Sequence, residues 1–199
     1  MSESRAKHKL CRRIGECVWG HPKCPSIKRP YPAGQHGQKR SKKLSTYGTL
    51  LMEKQKLRAF YCISEKQLYI AYKNAKMGEG QTSEKLLRRL ELRLDAVLFR
   101  SGMAPSVFAA KQFVSHRHIM IDGRVVDRGS YCLRPGQVVA IKVEKSPNVA
   151  EIAKKTDAMI PPYLEVDKEN CKVTIIRAPE IQEIPVKADV MSVVEFYAR

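Results

Sequence analysis

No apolar run in this 199-residue chain approaches the roughly 18–20 residues that cross a bilayer, so a membrane-spanning helix is excluded. The opening stretch MSESRAKHKLCRR lacks the apolar centre of a secretory signal, and the chain is read as mature and soluble, with no membrane partner. Its basic segment has no periodic apolar face, which argues against an amphipathic membrane-surface helix. A glycine-rich phosphate loop of the GxxxxGK type is missing. The histidines lie in basic surroundings without an acid placed to complete a triad, and Asp95 and Asp127 form no recognisable dyad. We therefore expect no enzyme. Acidic residues are scarce where it matters most: residues 1–43 hold only two, against 12 Lys or Arg.

What is present is cationic. The chain carries 37 Lys and Arg against 20 Asp and Glu, a formal charge of +17 with a pI near 9.8. A surplus of that size works against compaction by self-repulsion unless a polyanion supplies the missing charge. It lies mainly in the first fifth of the chain, whereas residues 146–199 are slightly acidic. From Lys28 to Lys43 the sequence holds six cations and no acid, interleaved with Pro30, Tyr31, Pro32, Gly34, His36 and Gly37. That mixture is unlike a Lys-rich solubilising tail. Nucleic acid is the expected partner.

Residues 1–43 show neither helical nor strand periodicity and are read as an extended arm ordered by its partner. Ser45 opens a helix through Tyr61, Ser64 caps a second that ends at Gly78 and Gly80, and Thr82 or Ser83 caps a long third helix, SEKLLRRLELRLDAVLFRSG, closed at Gly102. Ser106 caps VFAAKQFVSH. The period then changes. HIMIDGRVVD is a hairpin turning at Asp122-Gly123, and YCLRPGQVVAIKV adds a strand after Pro135-Gly136. Residues 148–158 are expected helical, YLEVD, CKVTIIRAP and IQEIPVK as short strands, and VMSVVEFYAR as an amphipathic element docked on the body. The expected class is α+β: a basic N-terminal arm (1–44), a mostly helical subdomain (45–91, completed by 146–199) and an inserted small α-β RNA-binding domain with short antiparallel strands (92–145).

Within 92–145, Lys111, Gln112, Ser115, His116, Arg117 and His118 cluster at a helix end, and Arg124 follows the hairpin turn. Such groups grip phosphates and 2′-hydroxyls of folded RNA. Six cysteines are present, at 11, 17, 24, 62, 132 and 171. Without a secretion signal a disulfide framework is not expected, and Cys62, Cys132 and Cys171 are read as small buried hydrophobes. His8, Cys11, Cys17 and Cys24, with His21 as a substitute, have the make-up of a zinc knuckle. The other reading, three free thiols in an RNA-ordered arm, stays open.

The segment RLDAVLFR…SHRHIMIDGRVVDRGSYCLRPGQVVAIKV resembles the small RNA-binding domain named after small-subunit ribosomal protein four. RPYPAGQHGQKR, YGTLLMEKQKLRAFY and the terminal VVEFYAR resemble further signatures of that ribosomal family, in the same order over nearly the whole chain. The resemblance implies a primary binder of small-subunit rRNA that nucleates assembly of the subunit body. It implies a part in translational accuracy beside neighbouring small-subunit proteins five and twelve, a position near the path by which messenger RNA enters, and location in cytoplasmic ribosomes, with organellar ribosomes as the alternative. An RNA-modifying enzyme and a free-standing RNA-binding regulator are the rival readings of the small domain. The RNA-binding residues so implied are Arg12, Arg13, Lys28, Arg29, Tyr31, Gly34, Gln35, His36, Gly37, Gln38, Lys39, Arg40, Lys42, Lys43, Tyr47, Lys54, Gln55, Lys56 and Arg58, with the 111–124 set above. Zinc-binding members carry Cys-x2-Cys before an Arg-Arg-x-Gly run. Here His8 and Cys11 precede Arg12-Arg13-Ile14-Gly15, Cys24 precedes the arm, and Cys17 is off that pattern. No cofactor is expected to be required, and a structural zinc is the one candidate. Val107 and Phe108 follow Ser106 where the family usually has Arg, which shifts the expected contacts to Lys111, Gln112 and residues 116–118.

Overall fold

Three serines set the starts of three helices in the computed structural model, which describes residues 8–38 and 43–198. Ser45 accepts the Gly48 N–H at 3.2 Å ahead of α3 (Thr46–Phe60). Ser64 and Gln67 form a reciprocal capping box ahead of α4 (Glu65–Lys76). Ser106 accepts the Ala109 N–H at 3.1 Å ahead of α7 (Val107–Ser115). Each satisfies an N–H that the first helical turn leaves without a partner, worth about 1 kcal/mol per cap.

The chain divides into two compact units, Met1–Phe60 with Ala188–Arg199, and Tyr61–Lys187. The boundaries read from sequence at 44/45, 91/92 and 145/146 do not coincide with this division. Residues 45–91 and 146–199 are each split between the units: the C-terminal helix joins α3 in the first, as expected, whereas strands beyond residue 146 enter the sheet of the 92–145 segment in the second.

In the first unit the arm is not wholly extended. It contains α1 (Lys9–Ile14) and α2 (Pro25–Lys28), too short to show a period in sequence. The core side of α3 presents Leu50 and Leu57 to α9 (Val190–Ala198), whose Val190 and Val193 are buried. Asp189 caps α9, accepting the Met191 N–H at 3.0 Å and the Ser192 hydroxyl at 2.5 Å, while its own N–H donates to Glu53 of α3 at 2.9 Å.

The second unit runs α4, α5 (Thr82–Glu91), α6 (Leu94–Arg100), α7, β1 (Ile119–Ile121), β2 (Arg124–Val125), β3 (Val138–Ile141), α8 (Pro147–Lys155), β4 (Leu164–Asp167), β5 (Lys172–Ile175) and a 3₁₀ turn, Ile181–Glu183. The strands form one antiparallel sheet ordered β2-β1-β3-β5-β4. One sheet face places Ile119, Ile121, Val139, Ile141, Val173 and Ile175 in a buried cluster with Leu94, Val97 and Leu98 of α6 and Phe113 and Val114 of α7. At about 1.5–3 kcal/mol for each large apolar side chain removed from water, this cluster is the main source of the unit's stability.

Three further expectations are corrected. The long third helix is two helices, because residues 92–94 pair with 131–133. Leu133 N–H donates to Leu92 C=O at 2.8 Å, and Leu94 N–H donates to Tyr131 C=O at 2.8 Å. IQEIPVK is a 3₁₀ turn, not a strand: Pro185 lacks a ladder donor, and Glu183 folds back to accept the Glu180 N–H at 2.9 Å. Cys171 is buried as expected, but Cys62 and Cys132 are only half-buried.

One carboxylate ties the second unit together. Glu91 is fully buried and accepts Tyr61 OH at 2.5 Å, Tyr163 OH at 3.0 Å and Arg100 Nε at 2.5 Å. Burial and the neighbouring Glu91 charge raise the ionisation of both phenols well above the ordinary tyrosine range.

Candidate nucleic-acid interface

Cys11 lies within α1, Cys17 follows that helix, and Cys24 stands at the N-cap of α2. His8 Nδ1, Cys11 Sγ and Cys24 Sγ lie within 4.8 Å of one another, with Cys24 Sγ 3.2 Å from His8 Nδ1. In a tetrahedral zinc site with bonds of about 2.3 Å, ligand atoms stand about 3.8 Å apart, so small shifts complete the geometry. Cys17 Sγ accepts the His21 N–H at 3.2 Å, and neither Cys17 nor the exposed His21 belongs to that close group of three. Burial pushes the Cys11 thiol up to about 11, with the nearby Cys24 and Cys17 adding to the rise. Burial also opposes the Cys24 thiolate, but the Ser26 hydroxyl, 3.1 Å away, and the Ser26 N–H outweigh it and lower that thiol. The closeness of these three donors and the burial of Cys11 and Cys24 fit a zinc ion. Trp19 fixes the knuckle on the body, its indole N–H donating to Ala59 C=O at 3.0 Å.

From the knuckle the arm turns sharply. Gly34 has φ +116°, a conformation that strains any residue with a Cβ. At Gly37 a Cβ would lie 1.9 Å from the Pro32 carbonyl oxygen, so no side chain fits there. Arg12 clamps this turn: its guanidinium donates to the carbonyls of Tyr31 (3.1 Å) and Pro32 (3.2 Å) and lies 5.0 Å over the Tyr31 ring. Gln38 donates to the Tyr31 hydroxyl at 3.1 Å. Arg12 and Gln38 therefore shape the arm. Arg13, Lys28, Arg29, Gln35, His36 and Lys43 are exposed on it. Lys39, Arg40 and Lys42 lie outside the described residues.

Along α3 the expected basic track is divided. Lys54 is buried with its ammonium 4.2 Å from the Phe196 ring centre, so it packs against α9. Lys56 pairs with Glu53 at 2.8 Å. Tyr47 is exposed and its ring lies tilted against Phe196, 5.6 Å between centres, while Gln55 and Arg58 are half-buried.

In the second unit Lys111 also turns inward, donating to the Cys62 carbonyl and standing 3.6 Å from Asp95, whose carboxylate takes a two-pronged bond from Arg93 at 2.9 and 2.8 Å. His118 is half-buried and bonded to Ser146 at 2.5 Å. Gln112, His116, Arg117 and Arg124 are exposed, and Arg117, at φ +63°, pairs with Asp127 at 3.1 Å. The hairpin turn is braced by Asp122, which accepts the Val138 N–H at 2.9 Å and the Gln137 amide at 3.0 Å. The sequence reading overlooked Arg128, Tyr131 and Arg134, exposed on the loop that Gln137 joins to this turn. The Arg134-Pro135-Gly136 turn carried that signal.

A family model described as the ribosomal protein S4/S9 N-terminal domain matches residues 3–91, and one described as the S4 domain matches residues 92–139. The chain is similar to the small ribosomal subunit protein uS4 of Phenylobacterium zucineum, 45% identical over 97% of each chain. It is also similar to the proteins of that name from Acidiphilium cryptum, 46% identical over 98% of each, and Brucella abortus, 44% identical over 98% of this chain and 97% of the relative. This chain belongs to the family of small ribosomal subunit protein uS4.

Proposed function

We propose that this chain is a structural constituent of the cytoplasmic small ribosomal subunit, without catalytic activity, that binds the subunit's rRNA early and nucleates assembly of its body. The observation that carries the reading is the exposed cationic arm, Arg13, Lys28, Arg29 and Lys43, presented by a turn that Arg12 and two glycines shape. Phosphate neutralisation by such an arm supplies sequence-independent affinity, and Tyr31 and His36 are suited to stack on bases. The exposed Gln112, His116, Arg117 and Arg124 form a second contact on the other unit.

Zinc held by His8, Cys11, Cys17 and Cys24 would fix the start of the arm, a segment too polar to build its own core. Small-subunit proteins five and twelve are the proposed neighbours, with messenger RNA near the path by which it enters and a contribution to translational accuracy. The test is cofractionation of the tagged chain with small subunits in a sucrose gradient. Recovery in those fractions supports the reading, and recovery only at the top of the gradient refutes it.

A further inference from the structure

Helix α4 buries Leu68, Ala71, Tyr72 and Ala75 on one side. At about 100° per residue, the opposite side forms a stripe about 120° wide that holds Lys66, Tyr69, Ile70, Lys73, Lys76 and Met77. All six are exposed, Tyr69 by 43%, Ile70 by 47% and Met77 by 83%. Lys73 lies 5.0 Å over the Tyr69 ring. The stripe holds no acid, and among the described residues none of its three lysines pairs with a carboxylate. None of these residues belongs to the arm or to the 111–124 cluster.

We infer that this face of α4 is an additional rRNA contact, laid against a double-stranded stretch. The inference rests on the proposed rRNA-binding function. Charge selects the occupant. Lysine is depleted in protein–protein interfaces, whereas three lysines without counter-ions suit a phosphate surface. Lys66 and Lys73 stand about 10 Å apart along the helix axis, so their ammonium groups can reach separate phosphates. Ile70 and Met77 between them suit sugar faces, and the Tyr69 hydroxyl suits a 2′-hydroxyl. The wide, shallow minor groove of A-form RNA presents these together.

The test compares the full chain with a Lys66→Gln, Lys73→Gln, Lys76→Gln variant in binding to transcribed small-subunit rRNA over a range of KCl, with tRNA as competitor. An Arg13→Gln, Lys28→Gln, Arg29→Gln, Lys43→Gln variant of the arm is measured beside it. The inference expects the α4 variant to bind at least ten-fold more weakly and the slope of log K against log salt to become shallower by about 2–3, near one unit per lost phosphate contact. Tyr69→Ala should weaken binding further, and Tyr69→Phe less. Wild-type affinity and slope for the α4 variant, with a weakened arm variant, overturn the inference and leave the proposed function standing. If neither variant is weakened, both fail. An α4 variant that binds rRNA normally but cannot enter reconstituted particles marks a protein partner on this face and overturns the inference.

Discussion

Replacing Glu91 by Ala would strip three buried groups of one shared partner. Glu91 is fully buried, and the Arg100 side chain that it pairs with is only 12% exposed. Removing one member of a buried ion pair costs about 3–5 kcal/mol, because the other charge stays buried without compensation. Tyr61 and Tyr163 lose their acceptor as well, at about 1–3 kcal/mol for each phenol that finds no water. These costs overlap, since one entering water can serve several groups, so about 4–6 kcal/mol is expected in all. That is a large share of the 5–15 kcal/mol typical of a folded domain. Glu91→Gln keeps the shape and one acceptor oxygen and should cost about half as much. Glu91→Leu with Arg100→Leu removes both charges and should be less damaging than Glu91→Ala. Urea unfolding of the RNA-free chain, followed by far-UV circular dichroism, measures all three. A Glu91→Ala chain within 0.5 kcal/mol of wild type, on the scale of an ordinary surface change, would refute the reasoning.

The same cluster predicts a pH dependence. Both phenols ionise above the ordinary tyrosine range when folded, so their contribution is complete below about pH 10 and is lost as pH rises further, at about 1.4 kcal/mol per pH unit per group. Tyr61→Phe should flatten the fall in stability between pH 10 and 11, and an unchanged slope would show that Tyr61 ionises normally. Gly37→Ala must open the arm's turn, since its Cβ would meet the Pro32 carbonyl at 1.9 Å, and should weaken rRNA binding several-fold without lowering the stability of the second unit; unchanged affinity would show that the turn is not used. The chain purified without chelator should hold about one zinc by elemental analysis and lose it in a Cys11→Ser, Cys24→Ser variant; a zinc-free wild type would mean free thiols.

Much of the fold was legible because its signals are local. Ser64 with Gln67, Ser106 and Asp122-Gly123 announce their caps and turn within four residues, and each does so in the structure. The break between α5 and α6 was not legible, because Leu92 and Leu94 take their partners from residues 131–133, where a helical repeat in sequence shows nothing. The closeness of His8, Cys11 and Cys24 was readable from their spacing. The inward turns of Lys54 and Lys111 were not. Their partners, Phe196, Cys62 and Asp95, come from distant parts of the chain, and a lysine in sequence looks the same whether it meets phosphate or a ring. The α4 stripe was readable as a helical wheel, but only burial of the opposite face shows which side is left to a partner.

The most direct test of the central claim is the salt dependence of rRNA binding with Arg13, Lys28, Arg29 and Lys43 changed to Gln. If these four exposed cations lie on phosphates, the slope of log K against log salt becomes shallower by about 3. A slope equal to that of the wild type would place the arm off the RNA and contradict the account.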